Sequence, residues 1–169
     1  ITIKPAAGVN ANISGSVSNG ALIKLNNADY IIIDGSNNGT NSRNLTITNT
    51  STTSPTTIWL ASSGTGADHN IIKNCNITSG SNAATSYGIA IAGSTLGSNG
   101  ADNDDVTIQN NNITQVYFGI WANGSASVSA GGLDNLNINN NIIGPASSGT
   151  GNIGFVGINI SNAVSLSVT

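Results

Sequence analysis

Charge is what this 169-residue chain has least of, with four basic residues, seven acidic residues and one histidine, or 7% charged residues. Soluble domains usually carry about a quarter charged residues, so this surface must be polar and nearly neutral. Four scattered bases cannot displace the counterions of a phosphate backbone, and we expect no nucleic-acid binding. Methionine and glutamate are absent altogether. Because residues that favour helices are scarce, a helical fold is excluded.

Cysteine and long apolar runs are equally scarce. The single Cys75 excludes an internal disulfide, and its surroundings indicate a small buried hydrophobe rather than a reactive thiol. No apolar run approaches the roughly 20 residues of a membrane helix, so no membrane insertion is expected. What the chain does have is asparagine, at 28 residues, together with 38% hydrophobic residues. That apolar content argues for a folded β-rich domain and against disorder.

A strand-like triplet with aliphatic residues at its ends recurs through the whole chain. Its five copies are Ile23–Leu25, Ile58–Leu60, Ile89–Ile91, Ile120–Ala122 and Ile158–Ile160, at spacings of 31 to 38 residues. A second short strand recurs with it, for example at Ile31–Ile33 and Leu136–Ile138. Alternation in steps of two turns the aliphatic residues inward. The repeat predicts an all-β parallel solenoid of about five coils, with the triplet aliphatics, Ile108 and Ile138 in its core.

Two points about this organisation stay open. The strand Leu45–Ile47 either begins a new coil or forms a third side of an existing one. Both ends of the chain fall inside the repeat, without polar capping segments. We therefore expect a single β-helix domain over residues 1–169 that is a segment of a longer solenoid. The alternative is that open strand edges associate end to end or laterally with neighbouring chains.

Short strands joined by asparagine-rich turns, in coils of roughly 30 residues, resemble the right-handed parallel β-helix of the pectate-lyase-like superfamily. The segments Ile1–Gly8, Ile33–Ser36 and Asn44–Thr50 resemble repeat regions of large secreted bacterial surface proteins, many of them type IX secretion substrates. The resemblance implies a secreted or cell-surface location. It implies little about activity, because one solenoid scaffold hosts several functions.

Four asparagines follow an inward aliphatic residue by two positions, and they are Asn49, Asn74, Asn110 and Asn140. Stacked coils would place equivalent residues about 4.8 Å apart. Amides at that spacing can each donate to one neighbour and accept from the other. We therefore expect these residues to form a buried structural ladder.

The only acidic cluster consists of Asp102, Asp104 and Asp105. Carboxylates are ligands that Ca²⁺ prefers, so these residues are candidates for a weak, adventitious calcium site. No other cofactor is expected. A polysaccharide lyase or hydrolase is the least favoured hypothesis, because the chain has one arginine, one histidine (His69) and no glutamate to divide acid, base and charge-neutralising roles. We expect no catalytic residues and no enzymatic activity.

The outward position of the recurring triplet holds Lys24, Trp59 and Trp121. Two tryptophans two coils apart would lie about 9.6 Å from each other on one face. Exposed rings on a rigid surface can stack on sugars or anchor a protein partner. The opposing hypothesis is that a loop such as 125–132, or a neighbouring domain, covers them. We therefore expect a non-catalytic structural or adhesion module acting as a rigid spacer or display surface, with a carbohydrate-binding module as the alternative.

Overall fold

The computed structural model describes residues 1–83, 85–125 and 132–169, and these residues form an all-β parallel solenoid. Sheet A consists of β1 (Thr2–Ile3), β4 (Ile32–Asp34), β7 (Ile71–Lys73), β10 (Thr107–Gln109), β14 (Asn137–Asn139) and β18 (Ser167–Val168). Sheet B consists of β2 (Ala11–Gly15), β5 (Leu45–Asn49), β8 (Cys75–Ser79), β11 (Asn112–Thr114) and β15 (Ile142–Ile143). Sheet C consists of β3 (Ala21–Asn26), β6 (Thr56–Ala61), β9 (Tyr87–Ala92), β12 (Phe118–Asn123) and β16 (Val156–Ser161). A small fourth sheet pairs β13 (Leu133–Asp134) with β17 (Ala163–Val164).

The chain visits sheets A, B and C in turn, and about five such circuits build the solenoid. Every described strand pair is parallel. The predicted architecture is therefore confirmed, and the described residues contain no helix. The question about Leu45–Ile47 is also answered, because β5 pairs with β2 and β8 and so forms the third side of the second coil.

The core lies inside the three sheets and consists of stacked aliphatic columns. The fully buried members of the predicted core are Ile58, Leu60, Ile89, Ile91, Ile108 and Ile120. Each such side chain contributes roughly 1.5–3 kcal/mol through burial. Ile23 and Ile158 belong to the end coils of the described stack, and they are only partly buried against the same core. Sheet B supplies a further column that includes Ile47, Ile77 and Ile113.

Residues with left-handed backbone recur at the corners between the sheets. Asn74, Asn110 and Asn140 occupy the corner between sheets A and B, with φ between 50° and 59°. Their backbone N–H groups each donate to the carbonyl of the following coil, at 3.0 to 3.1 Å. Asparagine tolerates left-handed backbone better than most residues, because its short polar side chain can form hydrogen bonds with the nearby backbone. The corners therefore account for part of the high asparagine content.

Candidate functional site

The register of sheet C places the two tryptophans in the predicted column. Trp59 pairs with Lys24 on one side and Ala90 on the other, and Trp121 pairs with Ala90 and Asn159. Two strand spacings therefore separate the tryptophans along one face. This column lies on the outer side of the sheet, because its aliphatic neighbours fill the core.

The faces of the two tryptophan rings are not fully exposed to solvent. Trp59 is only 6% exposed and Trp121 is half-buried. The ammonium group of Lys24 lies 3.8 Å from the centroid of the Trp59 ring, a distance typical of a cation–π interaction. The segment 125–132, suggested by the sequence as a cover, lies mostly outside the described residues, which end at Ser125 and resume at Gly132. The described side chains alone already form much of the cover.

A second hydrophobic cluster lies on this outer face, and we call it the outer cluster. It consists of Trp59, Ala61, Tyr87, Ala90, Ala92 and Phe118, with Ala21, Leu96, Tyr117, Trp121 and Val156 packed against it. The rings of Tyr87 and Phe118 are stacked at 5.1 Å with an interplanar angle of 13°, and Trp121 meets Phe118 edge-on at 4.8 Å. Aromatic pairs in these geometries stabilise one another beyond their area burial. The outer cluster is thus a packed unit.

Tyr87 and Phe118 were missed as site residues, although both stand two positions before an inward isoleucine in successive coils. Strict alternation would turn them inward with Ile89. Gly88 changes this, since a side chain built on it would meet a methyl group of the core residue Ile113 at 2.7 Å. The glycine therefore takes the inward position. The preceding aromatic residue packs in the outer cluster.

A pocket of about 220 Å³ opens at the edge of the outer cluster, and we call it the sheet C pocket. Its lining residues are Asn19, Ser54, Thr85, Tyr87 and Leu96. The first three occupy the same corner, between sheets B and C, in three successive coils, and all have left-handed backbone, with φ of 42° to 62°. Hydroxyl groups of Ser54 and Thr85 lie 2.8 Å apart, within hydrogen-bond distance. The pocket is therefore uncharged and held by stacked turns.

Buried polar atoms without hydrogen-bond partners concentrate at this face. Among the described residues they are Thr56 Oγ1, Trp59 Nε1, Trp121 Nε1 and Asp134 Oδ1. The first three belong to sheet C, in or beside the outer cluster. Thr56 has no exposed surface, and it pairs in register with Tyr87. Such orphaned groups are uncommon in folded proteins, so their clustering marks this face as unusual.

The acidic residues lie at another corner, between sheets C and A. Asp68, Asp104 and Asp134 occupy successive coils. The Asp68 carboxylate accepts a hydrogen bond from the backbone N–H of Asp104 at 3.0 Å, and the Asp104 carboxylate accepts one from the backbone N–H of Asp134 at 2.8 Å. Asp105 lies 3.3 Å from His69 and also accepts a hydrogen bond from the Asn135 amide. These carboxylates therefore hold neighbouring coils together.

Asp104 is the carboxylate whose titration this corner disturbs. Burial raises its pKa above the usual range, and the carboxylates of Asp134, Asp102 and Asp68 raise it further. The backbone hydrogen bond from Asp134 opposes part of this effect. In the described part of the chain, no three histidine, cysteine or acidic side chains come together to hold a metal ion. The suggested set Asp102, Asp104 and Asp105 shares one loop, but two of its carboxylates bind protein groups.

The asparagine ladder exists in part, with corrected membership. Asn110 donates to the Asn74 side-chain oxygen at 2.7 Å, and Asn74 donates to Asp34 at 2.7 Å. Asn140 continues the corner, but its side chain is exposed and bonds to neighbouring Asn139 instead. Asn49 belongs to a different column, because sheet B aligns it with Gly15 and Ser79. The motif alone did not separate the columns, because Asn49 ends a strand of sheet B whereas the other three follow strands of sheet A.

Other asparagines that the sequence did not single out carry more of this role. Asn111 is fully buried, accepts the backbone N–H of Cys75 and donates to the carbonyl of Ile72. Asn141 accepts from both the backbone and the side chain of Asn111. Burial raises the pKa of the Cys75 thiol to about 12, so the expectation of an unreactive, buried cysteine fits its surroundings.

The single arginine is also engaged in structure. Arg43 donates to the carbonyl and to the side-chain oxygen of Asn110, at 2.7 and 2.6 Å, across the intervening coil. An open groove of about 600 Å³ lies beside it and is lined with Asn10, Ala11, Asn12, Arg43, Asn44 and Thr46. None of the described residues that line the groove is acidic.

Comparisons of the chain with protein-family models, curated proteins and solved structures found no match. Within the described residues, no helix has the length and apolarity needed to cross a membrane.

Proposed function

We propose that the chain is a non-catalytic extracellular module that acts as a rigid spacer or display surface. The observation that carries this proposal is the continuity of the stack, in which three parallel sheets and side-chain columns link each coil to the next. Each coil pairs with its neighbours in three sheets, and this pairing makes the stack rigid along its axis. The low charge of the chain agrees with a nearly neutral surface.

The same proposal includes a family and a location. The chain is a β-helix of the pectate-lyase-like superfamily, from the repeat region of a large bacterial surface protein secreted by the type IX route. The parallel solenoid with asparagine corners supports this assignment. The strands, turns and corner residues quoted from the sequence are its further support.

The direct test is incubation with pectin, alginate and related polysaccharides, with and without Ca²⁺. We expect no reducing ends and no unsaturated products, because the acidic residues nearest each other bind structural groups. A variant with Asp104→Ala and Asp105→Ala is the control for any activity that is found. Product formation that disappears in this variant would overturn the non-catalytic function.

A second candidate function is carbohydrate binding at the outer face of sheet C. The specific observation in its favour is the outer cluster, where aromatic rings and orphaned indole N–H groups lie together. Phe155 adds a ring that is 66% exposed and stacked on Tyr117 at 5.3 Å. Retention of the chain on insoluble polysaccharide, lost in a variant carrying Phe155→Ala and Trp121→Ala, is the expected result.

A further inference from the structure

The sheet C pocket has the construction of a binding site. Its three corner residues are fixed by the stacking of coils, and Ser54 and Thr85 are joined by a hydrogen bond of 2.8 Å. Tyr87 is held from one side by the stacked ring of Phe118. Sites whose groups are already in position lose little conformational entropy when a ligand binds.

The chemistry of the pocket selects an uncharged, hydroxyl-rich ligand. An amide, two aliphatic hydroxyls, a phenol and one leucine line it, and none of the lining residues carries a charge. Small-molecule sites usually combine apolar surface with a few polar groups that point toward the ligand. The volume of about 220 Å³ equals about seven water molecules at about 30 Å³ each, which is room for one sugar ring.

Two orphaned polar groups belong to the same face, but neither of them lines the pocket. Trp59 is more than nine-tenths buried, and its indole N–H has no partner among the described residues. Thr56, one strand away from Tyr87 in register, is fully buried with an unpartnered hydroxyl. Such unpaired groups are uncommon in folded proteins, so they mark this part of the face as unusual.

We infer that the sheet C pocket binds a single ring of a neutral saccharide, with the corner residues accepting and donating hydrogen bonds to its hydroxyl groups. The inference rests on the second candidate function and gives it a location and a ligand class. An acidic sugar would need a cation in the pocket. Lys24, the basic residue nearest the cluster in register, is instead placed over the Trp59 ring.

Tryptophan fluorescence reports on this site directly, because the only two tryptophans of the sequence both lie in the outer cluster. The probes are hexasaccharides of glucose, xylose, mannose and N-acetylglucosamine, with oligogalacturonate as the acidic counterpart. We expect a saturable change in emission with at least one neutral hexasaccharide and none with oligogalacturonate.

Two conservative variants test the pocket, and each has a matched control elsewhere on the surface. Ser54→Ala and Tyr87→Phe each remove one hydroxyl group from the lining, and calorimetric titration should show at least fivefold weaker binding. Ser14→Ala, on the exposed outer face of sheet B, and Tyr30→Phe, at an exposed corner, should change the affinity less than twofold. Melting temperatures identify any variant that fails to fold, and the second pocket variant then decides.

The outcomes separate the inference from the function on which it rests. Binding that is unchanged in both pocket variants but lost on Phe155→Ala would overturn the pocket and leave carbohydrate binding in place. Binding of oligogalacturonate in preference to the neutral hexasaccharides would overturn the ligand class. Absence of binding to every probe would overturn both the pocket and the carbohydrate-binding candidate, while the scaffold function would stand.

Discussion

The outer faces of sheets B and C differ sharply, although their inner faces are built alike. On sheet B the outward residues are Asn12, Ser14, Thr46, Thr48, Asn76, Thr78, Asn112 and Thr114. They are small, uncharged and wholly or partly exposed. On sheet C the outer cluster forms a packed hydrophobic layer around Trp59 and Tyr87. The outer face of sheet B is therefore exposed to solvent, whereas the outer face of sheet C carries a second hydrophobic core.

This difference shows which part of each strand specifies the fold. Ile47 and Ile58 are both fully buried, one from each sheet, and the inward columns are aliphatic in both. The parallel register depends on those columns, because a slip by one residue would turn them outward. Outward positions are therefore not constrained by the core, and sheet C uses them to build a packed aromatic layer on the scaffold.

The largest effect should come from breaking the second core. Trp59→Ala removes a nearly buried indole from the outer cluster, and the free energy of unfolding should fall by about 3–5 kcal/mol. Urea unfolding followed by circular dichroism measures this change. A loss below about 1 kcal/mol would mean that the outer cluster contributes no more to the free energy of unfolding than the exposed residues of sheet B do.

The border between the two faces should be next in sensitivity. Asn49 is fully buried at the end of β5, where it accepts the backbone N–H of Val17 and donates to the carbonyl of Thr56. Asn49→Ala should cost about 1–3 kcal/mol for each group left unpaired. Thermal unfolding is the measurement, with Asn12→Ala on the exposed face of sheet B as the control. Equal melting temperatures for the two variants would contradict this role.

Two carboxylates extend the comparison to the flanking corners and should respond oppositely to pH. The pKa of Asp104 is raised by burial and by neighbouring carboxylates, so its contribution to stability is present in acid and lost as pH rises through the folded pKa. Burial alone would raise the pKa of Asp34, but hydrogen bonds from Asn74 and Ser36 and the nearby Lys73 lower it. Its contribution is present above the unfolded value of about 3.9 and lost as pH falls through the folded pKa.

Accordingly, Asp104→Asn should be more stable than the wild type at neutral pH, since the amide can still accept the N–H of Asp134. Asp34→Asn should be less stable there. Both differences should shrink below about pH 4, where the carboxylates of the wild type become protonated in the unfolded chain. Melting temperatures recorded across this range check both signs, and a parallel response of the two variants would be inconsistent with them.

The smallest effect is expected on the open face. Thr78 is outward on sheet B between Thr48 and Thr114. Thr78→Val keeps the branched shape that suits a strand and replaces only the hydroxyl group by a methyl group. The free energy of unfolding should change by less than about 0.5 kcal/mol. A change as large as that of Trp59→Ala would abolish the distinction between the faces.

Much of the fold was predictable from local pattern. Aliphatic residues at alternate positions, repeated every few tens of residues, specify strands whose inward columns can only be buried by stacking. That was enough to identify the coils, the core around Ile58 and Ile89, and the column that holds Trp59 and Trp121. The pattern was sufficient for these three features because each of them depends only on the sequence of a strand and on its pairing with the equivalent strand of the next coil.

Which asparagines share a column, and which side chains cover the outer face of sheet C, were determined only by the tertiary structure. Asn49 and Asn74 share a motif but lie at different corners, because Asn49 ends a strand of sheet B and Asn74 follows a strand of sheet A. Tyr87 faces outward where Gly88 lies against Ile113, and this contact joins two different sheets. The sequence by itself determined which strand faces are apolar. The folded chain decided what those faces meet, since contacts between different sheets depend on loop lengths and on the space beside each glycine.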